Sequence, residues 1–178
     1  MSFEEDGGGS FEVGCPACGG GLVGVRMPPT NGVFFADEHR AGADVGQRER
    51  DRGALSSAGI EAVECVCERM AGLTGPAEPP ARLHGDLWSG NVMADAEGRP
   101  WLIDPSAYGG HREVDLAMLR LFGAPSERVF AAYEEVAPLA EGWQERVELY
   151  QLLPLLVHAL LFGGSYRGAA ERVALRYA

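Results

Sequence analysis

Three residues bearing hard oxygen donors stand close together in the middle of this chain. Asp86 and Asn91 lie five residues apart in Arg82-Leu-His-Gly-Asp-Leu-Trp-Ser-Gly-Asn-Val-Met93, and Asp104 follows Trp101-Leu102-Ile103, thirteen residues after Asn91. Two carboxylates and an amide suit a magnesium-nucleotide site, because Mg²⁺ takes oxygen ligands. Phosphoryl transfer asks for these parts: one carboxylate to orient and deprotonate the attacking hydroxyl, and an amide with a second carboxylate to hold Mg²⁺ on the phosphates. A plainer reading is a β-hairpin with solvated turn carboxylates, since Asp and Asn are common turn residues. Three such residues at these spacings, with His84 in front, favour the first reading.

The elements that must position them are short. Pro79-Pro80 forces an extended lead into Leu83. A tight polar loop follows, then an apolar run at Val92-Met93, a turn at Glu97-Gly98 and a strand over Trp101-Leu102-Ile103 that Asp104 ends. Protein-kinase catalytic loops separate their Asp and Asn in the same way and open a later Asp-Phe-Gly with the second carboxylate. Here Gly85 stands in place of the kinase arginine, and Asp104-Pro105 in place of Asp-Phe.

Leu83-His84-Gly85-Asp86-Leu87-Trp88-Ser89-Gly90-Asn91 resembles the catalytic loop of the fructosamine kinase (ketosamine-3-kinase) family, relatives of the aminoglycoside phosphotransferases. Further matches are Ile103-Asp104-Pro105, Tyr108-Gly109-Gly110-His111-Arg112-Glu113, Asp115-Leu116-Ala117-Met118, Tyr150-Gln151-Leu152 and Leu161-Phe162-Gly163-Gly164-Ser165-Tyr166. The loop motif is shared across the superfamily, whereas the Trp-Ser-Gly and Tyr-Gly-Gly-His blocks are more specific. An aminoglycoside-type kinase should lack both.

The resemblance implies an α/β (α+β), protein-kinase-like fold, mainly the helical C-terminal lobe, with a small β element carrying the catalytic loop. It implies transfer of the γ-phosphate of ATP to a sugar hydroxyl of a ketosamine on a protein or small amine, after which the phosphoester decomposes and frees the amine (deglycation). Asp86 would be the base, and Asn91 and Asp104 would hold Mg²⁺. Asp115 would be an inward-facing carboxylate bracing the loop rather than a solvated helix-face residue. His84 is read as packing beneath the loop and fixing its backbone. Trp88, His111, Trp143, His158 and Tyr166 are candidates to line an acceptor pocket, since sugars pack on aromatic faces. Core packing is the plainer alternative for each, and Trp88, beside the loop, is the strongest candidate.

A chain of 178 residues is one domain or slightly more. Its net charge of −11 argues against nucleic acid or an anionic membrane as the main partner. The acidic start and the absence of a long apolar run point to a soluble, cytoplasmic protein. Residues 1–33 are Gly- and Pro-punctuated and read as poorly structured, with residues 34–178 as the kinase-like lobe. Cys15 and Cys18 form a CxxC, but Cys65 and Cys67 point to different helix faces, so all four read as free thiols rather than a zinc site.

Helices are expected over Ala58–Leu73, where Ile60, Val63, Cys67, Met70 and Leu73 make one apolar face, and over Arg112–Phe122, Glu127–Val136 and Tyr166–Tyr177. Trp143–Phe162 should be helical but kinked or divided by Pro154. Ser106–His111 reads as an irregular glycine-containing loop. All 15 basic residues are arginine. The lysine that kinases place on the phosphates therefore has no counterpart, and the chain resembles the family's C-terminal lobe with most of the ATP-binding N-terminal lobe missing. A binding or regulatory module without turnover is the reading from a different functional class.

Overall fold

The computed structural model describes residues 55–178 apart from Ala124, and the backbone of Ser10–Val13 and Val23–Arg26. The CxxC and the Phe34–Arg52 segment lie outside the described residues. Ser10–Val13 (β1) pairs antiparallel with Val23–Arg26 (β2), in the register Ser10 to Arg26 and Val13 to Val23. The rest of residues 1–33, expected to be poorly structured, lies outside the described residues.

Helix α1 (Ser57–Leu73) begins at Ser56, whose hydroxyl accepts from the Gly59 N–H at 3.1 Å. Its apolar face carries Val63 and Val66 into the core, with Ile60, Cys67, Met70 and Leu73 alongside. That face packs on helix α4 (Trp143–Phe162) through Leu149, Leu152 and Leu156, and on α5 (Ser165–Tyr177) through Ala170, Val173 and Ala174. Gly163 and Gly164, both at positive φ, turn the chain between α4 and α5. Glycine adopts that region without steric cost.

Pro154 does not divide α4, which runs unbroken for 20 residues. Proline inside a helix costs about 3 kcal/mol. Here Leu149, Leu152, Leu155 and Leu156 are all buried, and burying each such side chain returns about 1.5–3 kcal/mol. Packing outweighs the proline.

The β element is built from two antiparallel pairs. Ala81–Leu83 (β3) pairs with Tyr108–Gly110 (β6), with Arg82 opposite Gly109. Val92–Ala94 (β4) pairs with Pro100–Leu102 (β5). The irregular loop expected over Ser106–His111 thus contains a strand. Three residues suffice to pair with β3, and glycine accepts extended backbone as readily as any other. Asp95 closes the β4–β5 turn, accepting from the N–H groups of Glu97 and Arg99 and from Trp101 Nε1, which hold its carboxyl below the usual range.

Helix α2 (Glu113–Leu121) links this element to the helical core. Glu113 pairs bidentately with Arg146 of α4, at 2.6 and 2.9 Å. Arg112 pairs with Glu78 at 2.7 and 2.8 Å and donates to the carbonyls of Ala137 and Pro138. Gln151 Nε2 donates to the Ala117 carbonyl, and the Tyr150 hydroxyl to that of Thr74. Helix α3 (Glu127–Val136) starts at the Ser126 cap and buries Phe130. Among the described residues, no helix is long and apolar enough to cross a membrane.

Candidate active site

The loop leaving β3 is held by its own backbone. Gly85 sits at φ +82, and a Cβ there would lie 2.1 Å from the Ser106 carbonyl oxygen, so no other residue fits without moving the chain. The Asp115 carboxylate, on α2, accepts from the N–H of His84 at 2.6 Å and of Gly85 at 3.0 Å. Burial pushes the Asp115 carboxyl above its ordinary pKa, while those two donors favour its ionised form. His84 Nε2 lies 2.9 Å from the Ile103 carbonyl, which can only accept, so Nε2 carries the proton. Nδ1 is then the acceptor, and the Asp86 N–H donates to it at 3.3 Å. Both ring nitrogens hold backbone.

The Asn91 amide nitrogen donates to the Asp86 carbonyl at 2.8 Å and to its carboxylate at 3.0 Å. A 3-10 turn over Ser89–Asn91 delivers this contact, with the Asn91 N–H bonded to the Trp88 carbonyl. The Ile103 N–H donates to the Asn91 carbonyl at 3.0 Å, continuing the β4–β5 pairing and setting Asp104 immediately beyond it. Asp104 is exposed and is a non-glycine residue at positive φ (51°). Such backbone costs of order 1–3 kcal/mol and clusters at ligand sites. With Nδ2 committed to Asp86, Oδ1 is the Asn91 atom able to bind a cation. That oxygen and the Asp104 carboxylate are hard donors that fit a divalent cation bridged to phosphate. Among the described residues, no three His, Cys, Asp or Glu side chains cluster as a metal site by themselves.

The Trp-Ser-Gly segment shapes the wall beside Asp86. The Trp88 ring lies across Gly90, where a Cβ would come within 2.3 Å of it. Ser89 Oγ donates to the Phe122 carbonyl at 2.8 Å, and the Trp88 ring meets Phe122 edge-on at 6.3 Å. This wall encloses a cavity of about 540 Å³ lined by Asp86, Trp88, Met118, Phe122, His158, Leu161, Phe162 and Tyr166.

Four of the residues named from sequence thus share one cavity: Asp86, Trp88, His158 and Tyr166. Two do not. Trp143 is buried against Leu116, Leu119 and Phe130, with its indole N–H on Glu134 at 2.8 Å, because it opens α4 on the side facing α3. His111 is buried with its ring stacked on Tyr150 at 5.5 Å, and burial lowers its pKa. Sequence reasoning did not single out Phe122, Met118, Leu161 or Phe162 as lining residues. Their signal was the motif membership of Met118 and of Leu161-Phe162; for Phe122, at a helix end, periodicity offers none.

The family model for fructosamine kinase matches residues 32–177. A protein of Lactiplantibacillus plantarum named "Probable ketoamine kinase" is 47% identical over 98 residues, which are 55% of this chain and 35% of that one. Another so named, from Synechocystis sp., is 38% identical over 141 residues, 79% of this chain and 46% of its own length. The crystal structure of a candidate fructosamine-3-kinase from Thermobifida fusca matches with a TM-score of 0.75 at 46% identity, covering 94% of this chain and 59% of that one. The fold is protein-kinase-like. The chain spans about a third to a half of the length of these curated relatives.

Proposed function

The chain belongs to the fructosamine kinase family, and from that premise we propose that it forms the acceptor-activating part of an ATP-dependent ketoamine phosphotransferase. The observation that carries this reading is the hydrogen-bonded pair Asp86–Asn91, at the mouth of the aromatic cavity, with Asp104 beyond it.

In this reading the sugar hydroxyl of a ketosamine enters the cavity and donates to the Asp86 carboxylate. As its oxygen bonds to the γ-phosphorus of ATP, its proton passes to Asp86 and the bond to ADP breaks. Asn91 Oδ1 and Asp104 would hold Mg²⁺, which when bound neutralises charge on the phosphate oxygens. Asp115 and His84 keep the loop backbone in place, so that Asp86 needs no reorganisation when the hydroxyl arrives. The resulting phosphoester would decompose to free the amine, completing deglycation in a cytoplasmic setting. The acidic surface, at a net charge of −11, supports neither nucleic acid nor an anionic membrane as a partner.

The test is ADP release from the purified protein with ATP, Mg²⁺ and fructosyl-lysine, beside Asp86→Asn. A general base contributes about 10²- to 10⁴-fold, so turnover should fall by at least that in the variant. Folded protein with no turnover above the variant would overturn the enzyme reading. The complete absence of lysine favours a second reading, a ligand-binding module that does not turn over. It predicts ketosamine binding with no ADP release.

A further inference from the structure

We infer that the cavity beside Asp86 is an aromatic cage that recognises the protonated amine of the acceptor, with His158 Nε2 as its fixed hydrogen-bond acceptor. This rests on the proposed acceptor site and names the group that the site selects.

Of the cavity's eight lining residues, five carry aromatic rings, Met118 and Leu161 are aliphatic, and Asp86 carries the charge. The rings touch one another as a cluster: Phe122 and His158 at 4.8 Å between centroids, His158 and Tyr166 at 5.1 Å, His158 and Phe162 at 5.4 Å. No arginine lines the cavity, although arginine supplies every formal positive charge on the side chains of Lys/Arg type in this chain. A phosphate or carboxylate would meet Asp86 there with nothing to offset it. A cation meets ring faces, whose quadrupoles attract it, and a carboxylate.

His158 is held by its own helix. Its Nδ1 lies 2.7 Å from the carbonyl of Pro154, one helical turn earlier. A carbonyl can only accept, so Nδ1 is the donor there, and in the tautomer this contact selects Nε2 presents the lone pair. Nδ1 is spent on the helix itself, so the acceptor edge is the one left to the cavity. Asp86 and His158 then offer a guest two acceptors, and a ketosamine has a matching donor. Its secondary amine is an alkylammonium near neutral pH and lies only a few bonds from the sugar hydroxyls. With a hydroxyl on Asp86, the ammonium falls within the cage, and the apolar lining suits the substituent on the nitrogen.

The experiment is calorimetric binding, without nucleotide at pH 7, of N-benzyl-fructosamine and of the analogue in which oxygen replaces the amine nitrogen. The intact chain should bind the amine at least about tenfold tighter than the ether, the scale of one charge-assisted hydrogen bond with cation–π support. His158→Phe keeps a ring in the cage but removes the lone pair, and the gap should shrink to about threefold or less. Trp88→Leu, which removes a second ring from the cavity, should weaken the amine more than the ether, and it covers the case in which the His158 variant does not fold. Equal binding of the two compounds, binding of neither, or an unchanged gap in His158→Phe would overturn the inference. Binding needs no turnover, so a failed cage and a failed kinase give different results: ADP release without amine preference in the first case, amine preference without ADP release in the second.

Discussion

Asn91 donates its amide nitrogen to both the carbonyl and the carboxylate of Asp86, so the two residues behave as one unit. The amide fixes where the carboxylate points and leaves its own oxygen as the atom free to accept a further partner. Asn91→Leu keeps the branched shape and removes the donor. Leaving a half-buried carbonyl and carboxylate without this partner should cost about 1–3 kcal/mol, read as a lower midpoint in urea unfolding. In a turnover assay the same variant should shift the Mg²⁺ dependence to higher concentration.

Gly85 should tolerate no side chain. Its positive φ and its approach to the Ser106 carbonyl act together, because a Cβ at 2.1 Å forces the segment before β6 away from the loop. Gly85→Ala should lower stability by about 1–3 kcal/mol, the range for a strained backbone. Gly98→Ala is the control. That glycine also has positive φ, but nothing lies within 4 Å of its Cβ position, so it should cost less. Thermal melts of the two variants decide the point.

Arg146→Met should destabilise through Glu113. The Glu113 side chain is 2% exposed and Arg146 11%, so removing the arginine strands a buried carboxylate. Breaking such a pair from one side costs about 3–5 kcal/mol. Replacing both partners, in Glu113→Leu with Arg146→Met, should recover part of that loss. A double-mutant cycle in urea measures it.

Stability should fall on mild acidification because of His111. Burial holds its imidazole below the ordinary value of about 6.5, against the charges of Glu113 and Glu78. The unfolded chain then binds the proton more readily than the folded one. The contribution is therefore complete above about pH 6.5 and is lost as pH falls through the lowered folded value. His111→Phe, which keeps a ring on Tyr150, should show a flatter melting temperature between pH 7 and pH 5. Glu78, lowered chiefly by its hydrogen bond to Arg112, acts in the same sense but below its ordinary 4.5, outside that window.

Local patterns were legible where local physics sets the outcome. The apolar stripe of α1 and the bounds of α3 follow from 3.6-residue periodicity. The short spacing from Asp86 to Asn91 allowed one loop to hold both, and motif likeness pointed to the family. Trp143 and His111 show where this reasoning stopped. An aromatic near a helix end reads alike whether it faces a cavity or a core, because the sequence shows its period but not its neighbours.

Tertiary structure decided the rest, through contacts between residues far apart in the chain. Whether Ser106–His111 is loop or strand depends on β3 lying beside it. Whether Pro154 breaks its helix depends on apolar surface buried by α1 and α5. The cavity itself joins Asp86 and Trp88 to Phe122, His158 and Tyr166 from three separate helical segments. From the sequence alone came the chemical groups and their local spacing. Their joint use is a matter of packing, which is a non-local sum of burial and steric fit that no window of the chain contains.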